Sequence, residues 1–519
     1  MTTSQNERDA LRHAQRRHWW LWSSQALTVA LAVRLLWMVI QYLTDTGSVM
    51  RFHVESAAVL FVLVGLVVTS LASTSTASLT LPFAPIPAWT WSISCAAAVV
   101  LYWPALTLGF LSDDFVLVDR AVNLQLGAFN PEAFRPLPLL VWAVIVRLGG
   151  TASAMHLLNV ILHGTNAFLT TRLVRPLVSS SQLAVLAGAL VLTAPIGPEA
   201  VAWNSGVFDV MATALLLAAV LTSRGYSDGT SLSRRLAFMT IGFAAFLCKE
   251  TAAIAGILVV LDGFVSRIRS GKLFVDAAIL TGITIGIIGL RVVFGSSAAR
   301  IPITKYMVQR WLFGTFGGLL VPWHIDVIRA HPWIPILGVA AVLLIVTLFF
   351  VQRHPAVRIR TAIATLGWCV LATLPPITFF VVGPDLQGAR YLYLATVGYA
   401  ATLIVGASMD YATRFTRICV MGAITVLIIT GIGGVRWHLR PWHDAARLRE
   451  TVTAAVSADP RIHNCGNPVF IDLPDSVRGA YVFRNGGREA LLPFFVSSST
   501  HTEECSLRWD GQGFITEPK

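Results

Sequence analysis

The sequence predicts an all-α polytopic membrane protein of about 13 transmembrane helices, with a small α+β extracytoplasmic domain after them. Three observations predict it. Of the 519 residues, 55% are hydrophobic and only 13% charged, against about 25% charged in soluble globular proteins. Apolar runs approaching the roughly 20 residues that cross a bilayer recur from near residue 19 to residue 435. Arg and Lys collect in alternate connections, as cytoplasmic loops require. The formal net charge of +12 therefore belongs to cytoplasmic helix ends and is not the footprint of a nucleic-acid binder.

Residues 1–90 read as a cytoplasmic N-terminus followed by two helices. Arg8, Arg12, Arg16 and Arg17 mark the inner side, and the run has no signal-peptide cleavage pattern. The first crossing is residues 19–43, with Trp19, Trp20 and Trp22 at the interface. The second is 54–71, and 73–87 is a Ser-, Thr- and Pro-rich inner linker. Residues 91–111 cross next and end in Ser112-Asp113-Asp114, which parity places outside. Residues 112–152 form an outer loop, because the apolar piece 137–148 is too short to span. The chain returns over 153–173 to Arg172 and Arg175, and crosses at 183–194, 207–222, 236–248, 251–265 and 273–294. Residues 295–331 must then stay outside, or Arg353, Arg358 and Arg360 would fall on the wrong side. Residues 91–331 thus form one module. Residues 332–436 add the crossings 333–351, 361–382, 391–409 and 418–435 and leave the C-terminus outside, although Arg436 and Arg440 then sit on the outer side.

Residues 437–519 differ in kind. Leu448, Val452, Ala455 and Val456 form a helical stripe, Val469-Phe470-Ile471 reads as a strand and Asn485-Gly486-Gly487 as a turn. A domain of roughly 75 residues is near the lower limit for independent stability, and a Cys465–Cys505 bridge would help it in an oxidising compartment. Cys95, Cys248, Cys369 and Cys419 lie in apolar runs and read as core residues.

Polar residues collect on the expected outer side: Asp113, Asp114, Arg135, Glu199, Asp209, Lys249, Glu250 and Arg390. Ionisable residues at the ends of apolar runs are expensive and mark function. For the Asp pair the alternative is a helix cap; for Arg390 it is interfacial snorkelling. His156, Asn159, His163 and Asn166 recur at helical spacing on one arc. About 10 Å along the axis separates the two histidines, so they cannot share a metal; they either pack against neighbouring helices or line a substrate cavity. Lys249 is either neutralised by its neighbours or holds an anion.

Six stretches in order, LSDDF, FRPLPLL, HLLNVILHGTNAFL, PIGPEAVAWNSGVFDVMATALLL, FLCKETA and ARYLYLATVGYA, resemble the GT-C superfamily of membrane glycosyltransferases. The branch most similar holds the transmembrane-and-TPR O-mannosyltransferases and their bacterial relatives. The resemblance covers residues 102–409, and the module of seven crossings with large outer loops after its first and seventh fits the family. Two departures stand out: no TPR repeats follow, and Ala194-Pro195 stands where the family usually has His-Pro.

The resemblance implies an inverting transfer of a sugar from a polyprenyl-phosphate-linked donor to an extracytoplasmic acceptor: protein, glycan or lipid. It implies Asp113 and Asp114 as the catalytic carboxylates and Lys249, Arg135 and Arg390 as donor phosphate ligands. The substrate cavity would be lined by His156, Asn159, His163, Glu199, Trp203, Asp209, Glu250 and Tyr391. Adjacent carboxylates can ligate Mg2+ or Mn2+, so a metal at Asp113 and Asp114 stays open, although monophosphate-donor enzymes of the superfamily often need none. The implied location is the plasma (inner) membrane. The rival expectation, a secondary transporter or flippase of lipid-linked sugars, calls for midplane charges and repeated halves; neither is visible in the sequence.

Overall fold

The computed structural model describes residues 86–126, 134–266, 270–294, 303–351, 356–408, 414–459, 467–484, 504–511 and 513–516, together with parts of 26–40 and isolated positions. The second expected crossing, the inner linker, the Asn485-Gly486-Gly487 turn and Cys465 lie outside these residues. In chain order the helices are α1 (Val29–Met38), α2 (Trp89–Tyr102), α3 (Asp114–Val122), α4 (Pro136–Arg147), α5 (Ala152–Val174), α6 (Ser181–Leu192), α7 (Gly197–Ala202), α8 (Val207–Ser223) and α9 (Leu232–Cys248). They continue as α10 (Ala255–Ser266), α11 (Gly271–Phe294), α12 (Lys305–Leu320), α13 (Ile325–Ala330), α14 (Trp333–Val351), α15 (Ala356–Thr373), α16 (Tyr393–Ala407) and α17 (Arg414–Ala458).

Among the described residues four stretches are long and apolar enough by themselves to cross a membrane: Trp89–Thr107, Asn204–Ser223, Gly271–Arg291 and Arg414–Ala458. The expected crossings therefore do not all reappear as full-length apolar spans. Helix α5 shows one reason: its 23 residues reach about 34 Å, yet it carries His156, Asn159, His163 and Asn166, all buried. Several others are short, among them Ser181–Leu192, Ala255–Ser266 and Tyr393–Ala407.

Helix α5 is the hub and packs on α2, α6 and α8. The close approaches run through small residues, which let helix backbones come together. A Cβ at Gly164 would lie 2.6 Å from the Cys95 Cα. One at Gly188 would lie 2.5 Å from the Ala167 carbonyl, and one at Gly398 2.7 Å from the Thr365 carbonyl. The outward faces stay apolar, with Trp91, Ile93, Val100 and Trp103 of the first span exposed.

Helix α17 is one continuous 45-residue helix that passes through Pro441, so the expected boundary at residue 437 falls inside it. Its last turns carry the stripe Val452, Ala455 and Val456 into a second core shared with Leu108, Leu111 and Trp203. After it, β1 (Asn467–Ile471), β4 (Glu504–Trp509) and β5 (Phe514–Thr516) form a sheet in the order β1-β4-β5, parallel then antiparallel. The strands β2 (Ser476–Val477) and β3 (Ala480–Tyr481) form a hairpin that packs on α17.

Candidate active site

The 109–115 stretch turns sharply between the first span and α3. Ser112 adopts φ +53, a left-handed conformation that costs a non-glycine residue energy and persists only where the surroundings enforce it. Here they do: the Ser112 N–H donates to the Val482 carbonyl at 2.8 Å. The Ser112 hydroxyl, with one proton to give, lies in hydrogen-bonding reach of the Arg484 carbonyl and of Asp113 Oδ1.

The two carboxylates that follow have different surroundings. Asp114 is fully buried. Its Oδ2 accepts from the Leu111 N–H at 2.9 Å, and its Oδ1 accepts from the Ser205 N–H at 2.9 Å and from the Ser205 hydroxyl. Burial pushes its pKa up to about 7 against the pull of these hydrogen bonds. Asp113, at the N-terminal end of α3, caps no backbone N–H with its side chain and is half-buried. Asp114 thus tethers the turn, and Asp113 holds the carboxylate that stays partly exposed.

The 203–205 segment that grips Asp114 is itself held from below. Asn159 Nδ2 donates to the carbonyls of Trp203 (2.8 Å) and Asn204 (3.2 Å), the Asn204 side chain meets His156 Nε2 at 3.1 Å, and Trp203 Nε1 donates to the Leu111 carbonyl at 3.2 Å. His163 lies deeper. Its ring nitrogens meet the Tyr393 hydroxyl (2.7 Å) and the Leu192 carbonyl (3.1 Å), and Asn166 completes that set. The polar arc of α5 therefore spends its donors on backbone and neighbouring side chains, while His156 Nδ1, Asn159 Oδ1 and Asn166 Oδ1 are buried with no hydrogen-bond partner among the described residues.

Beside this scaffold stand four cations and three carboxylates. Buried Lys249, between α9 and α10, pairs with Asp209 of α8. Burial lowers its pKa to about 8 although Asp209 opposes the shift. The neighbour Glu250 does not pair with Lys249; it takes Arg135 at 3.0 Å and Arg291 at 3.7 Å. Arg390 lies 3.8 Å from Glu199, and its backbone N–H donates to Glu199 Oε2 at 3.0 Å. Its guanidinium rests over the rings of Trp203 (4.6 Å), Tyr391 (5.5 Å) and Tyr481 (5.9 Å). Asp209, Thr213, Thr251, Arg390 and Tyr391 line a small cavity, and Asp209 Oδ2 has no hydrogen-bond partner there among the described residues.

Three protein donors occupy the Asp114 oxygens, whereas the Asp113 carboxylate has the Ser112 hydroxyl within reach and is partly exposed. No group of three or more His, Cys, Asp or Glu side chains able to hold a metal occurs among the described residues. Three members of the site carry no clear mark in the sequence: Ser205, Tyr481 and Arg484. Arg291 did carry one, as a cation inside an otherwise apolar run.

No family model matches the chain, and no solved structure matches it. Among curated proteins it is similar to the protein O-mannosyl-transferase Tmtc1 of Drosophila melanogaster, 31% identical over 182 residues, which is 31% of this chain and 21% of that protein. It is also similar to the protein O-mannosyl-transferase Tmtc2 of the same organism, 29% identical over 187 residues, 31% of this chain and 20% of that protein. The chain thus aligns with about a fifth of the length of these relatives.

Proposed function

We propose that the chain is an inverting glycosyltransferase of the GT-C type. It moves a sugar from a polyprenyl-phosphate-linked donor to a hydroxyl of an extracytoplasmic acceptor, at the outer face of a plasma (inner) membrane. The observation that carries this reading is the division of labour at residues 113 and 114: one carboxylate buried and fixed by three donors, the other half-exposed on the turn held by the 203–205 segment, whose Trp203 carries the Arg390 cation. The similarity to two protein O-mannosyl-transferases supports the same chemistry.

In this mechanism Asp113 accepts the proton of the acceptor hydroxyl, and the oxygen attacks the anomeric carbon from the face opposite the phosphate. The bond from that carbon to the phosphate oxygen breaks, and the phosphate leaves with the electron pair. The configuration at the anomeric carbon is inverted. Charge develops on the departing phosphate, where Lys249, Arg135, Arg390 and Arg291 stabilise it. The free Asp209 Oδ2 is a ready acceptor for a sugar hydroxyl.

The test is transfer by the purified chain in liposomes, starting with polyprenyl-phosphate mannose because the two relatives are mannosyl-transferases. Product from wild type and its loss on Asp113→Asn support the reading. Equal turnover of the two proteins would remove carboxylate catalysis, and lipid-sugar movement across the bilayer without transfer would favour a flippase.

A further inference from the structure

The C-terminal segment touches both halves of the candidate site at once. Val482 accepts the Ser112 N–H, and Ser112 precedes Asp113. One residue earlier, the Tyr481 hydroxyl donates to Glu199 Oε1 at 3.1 Å. The Tyr481 ring lies 4.8 Å from that of Trp203, on which Arg390 stacks at 4.6 Å. The path from Tyr481 through Val482 and Ser112 to Asp113 therefore fixes the spacing between the open carboxylate and the Arg390 cation. Nothing else among the described residues gives a hydroxyl to Glu199. The segment is anchored independently: Arg478 pairs with Asp326 and Asp444 at 2.6 and 3.0 Å.

We propose that Tyr481 is a positioning residue that holds the Glu199 carboxylate in place and, through it, sets the Arg390 guanidinium against the Asp113 turn. The proposal rests on the glycosyltransferase reading for its consequence but not for its geometry. A carboxylate buried with one guanidinium needs further donors to stay charged, because desolvation favours its neutral form. Burial raises the Glu199 pKa above the ordinary carboxylate range, and Arg390, backbone N–H groups and Tyr481 oppose that rise. The other groups around Glu199 are His324, His438, Asp385 and Arg478, with Arg484 lying 5.4 Å from the Tyr481 ring. Both histidines spend their ring nitrogens on backbone groups. His438 Nε2 accepts the His324 N–H at 2.9 Å while Nδ1 faces the Pro195 carbonyl. His324 Nδ1 accepts the Asp326 N–H while Nε2 donates to the Arg478 carbonyl, each at 3.0 Å.

Tyr481→Phe keeps the ring and removes the one donor. Two measurements on the full-length protein separate the outcomes. The first is thermal stability in detergent from about pH 4 to 8. Without the hydroxyl the folded pKa of Glu199 rises further, so the ionised form is costlier. The Tm deficit of Tyr481→Phe should therefore be small at low pH, grow as pH rises through the Glu199 titration, and vanish when Glu199→Gln is the background. A deficit that does not change with pH overturns the proposal even if Glu199→Gln fails to fold. The second is the transfer assay. Tyr481→Phe should lower kcat about tenfold or more, as loss of a hydrogen bond to a charged group implies, and less than twofold in the Glu199→Gln background. Equal losses in both backgrounds overturn positioning through Glu199. A wild type that transfers nothing while the pH-dependent deficit persists removes the transferase reading and leaves the Tyr481–Glu199 coupling standing.

Discussion

Ser205 is joined to Asp114 twice, by its N–H at 2.9 Å and by its hydroxyl, and with the Leu111 N–H these donors use both carboxylate oxygens. From sequence the two adjacent acids look interchangeable; this relationship separates them. Asp114→Asn would turn an NH2 toward a backbone or hydroxyl donor. It should destabilise the protein by about 1–3 kcal/mol, the usual cost of a buried donor left without an acceptor, and reduce transfer through loss of the turn. Asp113→Asn should leave stability within about 0.5 kcal/mol, as for other partly exposed positions. It should lower transfer on the order of a hundredfold or more, because an amide cannot accept the proton. Thermal melts and initial rates on both variants decide it; normal rates in Asp113→Asn would place the base elsewhere.

Lys249 sits against Asp209 in a buried pair, and its pKa of about 8 makes its charge pH-sensitive near neutrality. If that charge holds the donor phosphate, kcat/KM for the donor should fall as pH rises through about 8, since this parameter reports groups of the free enzyme. Removing the Asp209 charge by Asp209→Asn lowers the lysine pKa further, so the fall should begin at lower pH. Lys249→Arg, which stays charged, should remove the fall over the same range. Unchanged profiles in both variants would assign the pair to structure alone.

Much of the membrane part was legible because its signals are local. The buried polar arc of α5, the break at Lys249-Glu250 and the strand at Val469-Phe470-Ile471 are each set by a few neighbouring residues. Pairings were less so: Lys249 takes Asp209, 40 positions away, and not the adjacent Glu250. The contribution of the tail was hidden altogether. Tyr481 reaches Glu199 across 282 positions, and nothing in a tyrosine's immediate neighbours marks such a contact. The continuous α17 also escaped, because the sequence turns polar after Trp437 while the helix continues, and Pro441 would ordinarily end or kink it.

Gly164 offers a test of the packing that supports the site. Its missing side chain lets α5 lie on α2, where a Cβ would meet the Cys95 Cα at 2.6 Å and N at 2.9 Å. Backbone atoms cannot rotate away as a side chain can, so Gly164→Ala must part the helices, at about 1–3 kcal/mol by analogy with other overpacked interiors. Because Asn159 on the same helix grips Trp203 and Asn204, transfer should fall as well. Gly282 is the control, since a Cβ added there would meet nothing within 4 Å. Gly282→Ala should be neutral or stabilise the helix by up to about 1 kcal/mol. Equal Tm values for the two variants would contradict the close approach.

The Ser112–Val482 hydrogen bond requires the Asp113 turn and the C-terminal segment to lie on one side of the membrane in the proposed topology, and the distribution of Arg and Lys predicts the outer side. Gln125 follows α3 and Asp510 follows β4; both are exposed. Single cysteines at Gln125 and at Asp510, each in a background with the native cysteines replaced, should both react with a membrane-impermeant thiol reagent applied to intact cells. A cysteine at Gly229, an exposed position in the connection between α8 and α9, should react only after the membrane is opened. Labelling of Gln125 and Asp510 from opposite sides would break the contact between turn and tail, and with it the site that this contact assembles. Labelling of both from the inside only would keep the site but move the chemistry to the cytoplasmic face, where an extracytoplasmic acceptor could not reach it.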